Sequence, residues 1–198
     1  MPTKTARGKW LLQVHDVVNV AVISGLLVLS ALMYLDKHEK GTSNWFLPLA
    51  YSTLLYLLLD TTFILWYPEL FPRMISLVIH HAATVALVIH TIMYPEHEGF
   101  LLYGMLVEVN TFCLAAFKMW KSTVFKWCHL FTWIALRLCW YPYLVFVYHT
   151  EMSLPAYSML EYGSVLVPQF TLVLLCVFWT LEIVAFWKRA PKEHSKDD

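Results

Sequence analysis

The sequence predicts an all-α integral membrane domain, a polytopic bundle of about six transmembrane helices with both termini in the cytosol. Three observations carry that expectation. The 198 residues are 59% apolar and 16% aromatic, with a mean hydropathy of +0.58, beyond what one soluble domain of this size carries. Several apolar runs are long enough to cross a hydrocarbon core of about 30 Å at about 1.5 Å per residue. Breakers and charges fall between those runs, and the cations collect on one side of the resulting pattern. No internal repeat or linker divides the chain, so a single membrane domain with short polar tails is expected over residues 1–198.

The opening MPTKTARGKW is basic, and in the LLQVHDVVNV that follows, His15, Asp16 and Asn19 interrupt the apolar stretch. No small-residue cleavage site follows, so the first span, residues 17–35, is read as a retained anchor and not a signal peptide. DKHEKGTSN separates it from a second span at 45–66, and YPELFPR separates that from a third at 74–94. PEHEG leads to a fourth span at 100–120, KST to a fifth at 124–148, and HTEMSLPAYSMLEYGS to a sixth at 165–187. Pro68, Pro72, Pro95 and Pro155 lie in connections, where a missing N–H costs little. Pro142 and Pro168 lie in the last two spans and predict kinks there. Trp45, Trp66, Tyr67, Tyr94, Trp120, Tyr148 and Trp187 near span ends read as an interfacial aromatic belt.

An even number of spans puts both termini on one side. That side holds Lys4, Arg7, Lys9, Arg73, Lys118, Lys121, Lys126, Lys188, Arg189, Lys192 and Lys196. The other has Lys37 and Lys40, with Glu96, Glu98 and Glu151 in its remaining loops. The positive-inside rule then places the termini in the cytosol. Cations scattered over several short segments form no nucleic-acid surface.

The residues of interest are the ionisable ones inside apolar runs, since such groups are costly in hydrocarbon and mark functional sites by default. His80 and His81 lie in the third run, Asp60 in the second, Glu108 in the fourth and Arg137 in the fifth. At helical rise Asp60 and His80 are about 9–10 Å from the cytosolic end of their spans, and Glu108 and Arg137 about 15 Å. An unpaired Asp or Arg at a helix centre costs about 2.5–3.5 kcal/mol, so the expectation is one shared polar cavity open to the cytosolic half. Each residue has a plainer alternative. A buried histidine is often a satisfied core residue, and two adjacent ones point about 100° apart, so at most one is expected to face a reacting centre while the other packs or orients. Asp60 is either the histidine partner or a structural hydrogen-bond acceptor. Glu108, with Asn110 and Thr111, is either site lining or interhelical glue, and Arg137 is a structural counter-charge rather than a catalyst. His90 and His97 read as ordinary interfacial residues.

Several chemistries are set aside. There is no GxSxG, HExxH, GxxxxGK[ST] or GxGxxG motif. Cys113, Cys128, Cys139 and Cys176 are scattered singly, as small packing residues, and neither a metal nor a resident cofactor is expected.

The order Asp60, then His80–His81, then Glu108-Val-Asn-Thr111-Phe, then Arg137-Leu-Cys-Trp-Tyr-Pro142 resembles the TLC-domain membrane proteins, over roughly residues 45–187. That family includes the ceramide synthases, the translocation-associated membrane proteins and smaller lipid-homeostasis proteins. The resemblance implies residence in the endoplasmic reticulum or another endomembrane, with Asp60, His80, His81, Glu108 and Arg137 inside the bundle. Ceramide synthases carry a His-Asp-x-x-Asp segment before Leu-Glu, whereas Phe100-Leu-Leu-Tyr-Gly-Met-Leu-Val107 here lacks it. The chain is therefore more similar to the smaller members. Fatty-acid elongases share Asp-Thr and His-His (Asp60-Thr61, His80-His81), but their further histidine is Leu77 here, which ranks them second among enzymes.

The expected role is lipid metabolism or membrane lipid homeostasis. As an enzyme, the chain would be an acyl-CoA-dependent acyltransferase. His80, His81 and Asp60 would be catalytic, Glu108, Asn110, Thr111 and Arg137 would line the site, and acyl-CoA would be the co-substrate. The alternatives are a non-catalytic lipid-binding regulator and a cargo receptor or transporter. Membrane lipids are the implied partners, and an oligomer is compatible with the pattern.

Overall fold

The computed structural model describes residues 6–40, 43–152 and 157–189, with side chains through 185. Lys4, Pro155, Lys192 and Lys196 lie outside the described residues, as do the side chains of Trp187, Lys188 and Arg189. Helices α1 (Ala6–Lys40), α2 (Phe46–Trp66) and α3 (Met74–Met93) form the first three spans. Next come α4 (Glu98–Met105), α5 (Glu108–Trp120) and α6 (Thr123–Thr132). A π-helical segment (Trp133–Trp140) follows, then α7 (Tyr141–Met152) and α8 (Met159–Arg189). Six stretches are long and apolar enough to cross a membrane, and no strand occurs among the described residues.

The spans close into a ring. α1 packs on α2, α2 on α3, α3 on α8, α8 on α7 and the π segment, α6 on α5, and α5 back on α1. Successive spans alternate in direction, so the start of α1, the end of α2 and the end of α8 share one end of the ring, here the terminal end. Two apolar clusters fill the interior. One gathers Leu26, Met33, Phe46, Leu49, Val88, Leu101 and Met105 from α1 to α4. The other gathers Phe100, Tyr141, Leu144, Tyr148, Val165 and Leu172, largely from α4, α7 and α8. A cavity of about 40 Å³ lies where they meet, large enough for a few waters and too small for a lipid chain.

Two departures from the expected spans have identifiable causes. The first span begins at Ala6: His15, Asp16 and Asn19 are helical residues, the first two paired with Asp60 on α2 and Lys118 on α5, and Asn19 set against His15 one turn away. The fourth span is not continuous: α4 ends at Met105, and α5 starts at Glu108 after a tight turn in which Val107 N–H donates to Gly104 O at 3.1 Å. The Tyr103 carbonyl, which an α-helix would give to Val107, instead accepts the Trp140 indole N–H at 3.0 Å. In the fifth span Tyr141 N–H donates to Leu136 O, the wider register of a π-helix. Pro142 follows at once and has no N–H to restore the α-helical ladder.

The belt expectation holds where Trp45, Trp66 and Trp120 stand exposed. It fails at Tyr148, which is 1% exposed and directs its hydroxyl to Phe100 O at 3.4 Å.

Candidate functional site

At the terminal end, antiparallel packing of α1 and α2 and of α2 and α3 brings three helices' polar residues to one level. Asp60 sits between two imidazoles. His15 Nε2 is 2.6 Å from Asp60 Oδ1, and His81 Nε2 is 3.4 Å from Asp60 Oδ2. Hydrogen bonding fixes both rings. The Thr61 hydroxyl donates to Leu57 O at 2.6 Å, so its oxygen accepts from His81 Nδ1 at 2.8 Å, and His81 Nε2 is the basic nitrogen facing Asp60. Asn19 Nδ2 lies 3.4 Å from both His15 ring nitrogens, and the 2.6 Å contact with a carboxylate oxygen makes His15 Nε2–H the donor to Asp60. The contact between Asp60 and His81 is longer than a formed hydrogen bond, and a proton on either atom closes it. Phe63 stacks on His15 at 4.8 Å and Phe71 meets it edge-on at 5.3 Å, shielding the trio toward the terminal end.

His80 turns elsewhere, as adjacent helical positions must. Its ring lies 5.8 Å from that of His81 but packs against Trp179 at 5.6 Å, and its buried Nδ1 has no hydrogen-bond partner.

A second polar group joins α5 to the fifth span. Arg137, 6% exposed, donates from Nε to Asn110 Oδ1 at 2.9 Å and from Nη2 to Thr111 Oγ1 at 3.0 Å. Its guanidinium lies over Trp133 at 5.5 Å and Trp179 at 5.9 Å. Asn110 Nδ2 donates onward to His129 O and Thr132 Oγ1, both at 3.0 Å. Thr111, accepting from Arg137, faces the Glu108 carboxylate with its own hydroxyl. Glu108 occupies the first turn of α5, where the helix dipole favours a carboxylate, and borders the central cavity with Tyr56, Thr84, Tyr141 and Gln169. Arg137 is the buried residue of the π-helical segment.

The expected single pocket is therefore divided. Asp60 and His81 meet, with His15, which sequence reasoning had treated only as an interruption of the first span. Arg137, Asn110, Thr111 and Glu108 form a separate interhelical network. The central cavity touches Glu108 but is not lined by Asp60 or by any histidine. Asp60 and His15 instead lie at the foot of a groove of about 790 Å³ between α1 and α2, open along the flank of the ring.

At the opposite end, His90 and His97 are not interfacial. They are 3% and 6% exposed, and their rings stack 5.1 Å apart. His90 Nε2 lies 2.9 Å from His97 Nδ1, His90 Nδ1 2.8 Å from Ser164 Oγ, and His97 Nε2 3.2 Å from the Tyr157 hydroxyl. Among the described residues no group of three or more His, Cys, Asp or Glu side chains is arranged to hold a metal ion.

A family model described as TLC domain matches residues 9–185. No curated protein and no solved structure matches the chain significantly.

Proposed function

The chain belongs to the TLC-domain family, a group of membrane proteins of lipid metabolism and homeostasis, and we propose that it transfers an acyl group from an acyl thioester to a lipid hydroxyl or amine at the His15–Asp60–His81 trio. One observation carries this reading: a carboxylate bracketed by two imidazoles at the foot of an apolar groove. As the acceptor's oxygen or nitrogen bonds to the acyl carbon, its proton passes to the Asp60–His81 pair, where Asp60 stabilises the resulting imidazolium. The carbon–sulfur bond then breaks, and the departing thiolate takes that proton. His15 holds Asp60 toward the groove. The chemistry rests on His81; His80 packs on Trp179 and orients the helix. Arg137, whose Nε and Nη2 are committed to Asn110 and Thr111, fixes the frame.

On this reading the terminal end faces the cytosol of an endomembrane such as the endoplasmic reticulum. The phosphate-rich head of acyl-CoA waits there beside Lys9, Lys121 and Lys126 while its acyl chain enters the bilayer. The test is purified protein in lipid nanodiscs, given long-chain acyl-CoA and a panel of long-chain alcohols, amines and lysolipids, with products read by mass spectrometry. A new ester or amide that disappears in a folded His81→Ala variant is the expected outcome.

The groove's size against the central cavity, about 790 Å³ to about 40 Å³, favours one other reading, a lipid-binding regulator without chemistry. Absence of any product, with lipid retained through purification, supports that reading and sinks the first.

A further inference from the structure

The flank groove has a shape and a polarity of its own. On α1 it is walled by Val14, Val18, Val22, Gly25 and Leu29, spaced three or four residues apart and hence on one face. Ser52, Leu55, Leu59 and Phe63 supply the α2 wall. From Val14 to Leu29 the helical rise gives about 22 Å, past the midplane of a core about 30 Å thick. Its volume of about 790 Å³ lies in the range that takes one small ligand. Its polar groups gather at the terminal end, where Asp60, His15 and Asn19 face it, and the wall beyond them is apolar except for Ser52 and the Tyr56 edge. The foot offers a carboxylate and no lysine or arginine, so it complements a hydrogen-bond donor and disfavours an anion.

Two details mark the groove as room for an occupant. Gly25 is exposed on its wall, and a Cβ built there meets no atom within 4 Å. Leu26 and Tyr56 border both the groove and the central cavity, so these two side chains alone are shared between the flank and the ring's interior. An approaching transmembrane helix is about 10 Å across. Two α-helices in direct contact leave a furrow narrower than that between them, one that suits a single hydrocarbon chain.

We infer that the α1–α2 groove binds one extended single-chain lipid, a long-chain alcohol or amine, with its hydrogen-bond-donating end at His15 and Asp60 and its tail toward Leu29. The site deepens the transfer reading, as the seat of the acceptor, and rests on that reading for the acceptor's role. The experiment uses the full chain in nanodiscs with hexadecanol carrying a photoactivatable diazirine, placed either near the hydroxyl or at the chain terminus, and maps the crosslinks by mass spectrometry. The head-proximal probe is expected on Val14–Asn19 and Leu59–Phe63, the terminal probe around Gly25–Leu29, and the matching fatty acid several-fold weaker at both. Gly25→Phe, which fills the groove without a backbone clash, is expected to cut both signals at least several-fold while the protein keeps its unfolding temperature. His81→Ala is expected to lose transfer and keep the labelling. Labelling spread evenly over all lipid-facing helices, insensitive to Gly25→Phe, overturns the inference, as does a reversed head-to-tail pattern or protein–protein crosslinks across the groove in place of lipid ones. Specific labelling without any transfer product overturns the transfer reading alone.

Discussion

Each end of the ring holds a pair of histidine-bearing contacts, and only the terminal pair includes a carboxylate that borders a groove. At the terminal end a carboxylate separates His15 from His81, and a groove reaches Asp60. At the far end His90 and His97 bond directly to each other. The hydrogen order there is forced. Ser164 donates to Glu161 O at 2.7 Å, so His90 Nδ1 donates to Ser164, His97 Nδ1 donates to His90 Nε2, and the Tyr157 hydroxyl donates to His97 Nε2. Every ring nitrogen is used, Phe100 stacks on His97 at 4.9 Å, and neither ring lines a cavity described above. Both ends are built on histidines, with His15 and Asp60 partly exposed at one and His90 and His97 buried at the other. What differs is a carboxylate that faces two imidazoles and borders a groove, against a closed chain of neutral bonds that ties α3 to the start of α8.

Exchanging the test between the ends sharpens that contrast most. His81→Ala is expected to lower acyl transfer about 10²- to 10⁴-fold, the usual contribution of a positioned acid–base group, while His90→Ala leaves it unchanged. Equal losses at both ends, in an initial-rate assay on folded protein, would erase the distinction. Stability should respond in the opposite place. His97→Phe keeps a ring beside Phe100 but leaves His90 Nε2 and the Tyr157 hydroxyl without partners, and is expected to cost about 2 kcal/mol in thermal unfolding with transfer intact. The smallest effect is expected between the ends. Trp140→Phe frees the Tyr103 carbonyl that keeps α4 and α5 apart, at about 1 kcal/mol, with amide exchange showing a more regular helix across Leu106 and Val107.

The sequence makes the hydrophobic architecture plain because length and composition alone specify a spanning helix. It also points to Asp60 with the histidine pair, since equal depth on antiparallel helices is arithmetic at fixed rise, and to Arg137 as a structural cation. What it hides depends on azimuth and on distant partners. His15 looks like a polar blemish before the first span until α1 is placed beside α2. His97 sits in a charged loop, Pro-Glu-His-Glu, and its burial follows from His90, Tyr157 and Phe100 converging on it. The α4–α5 break involves an indole 37 residues away, and within the fourth span only Gly104 marks the place. Depth was legible, whereas the face of the helix was not, and so one expected cavity resolved into two networks and a flank groove.

The account turns on Asp60 binding His15 and His81 together. Histidine ¹⁵N resonances of the full chain in nanodiscs test this directly when Asp60→Asn is compared with the unaltered protein. The account predicts that the His15 and His81 ring nitrogens both move while those of His90 and His97 stay in place. A His81 signal that ignores the loss of the Asp60 carboxylate would contradict it.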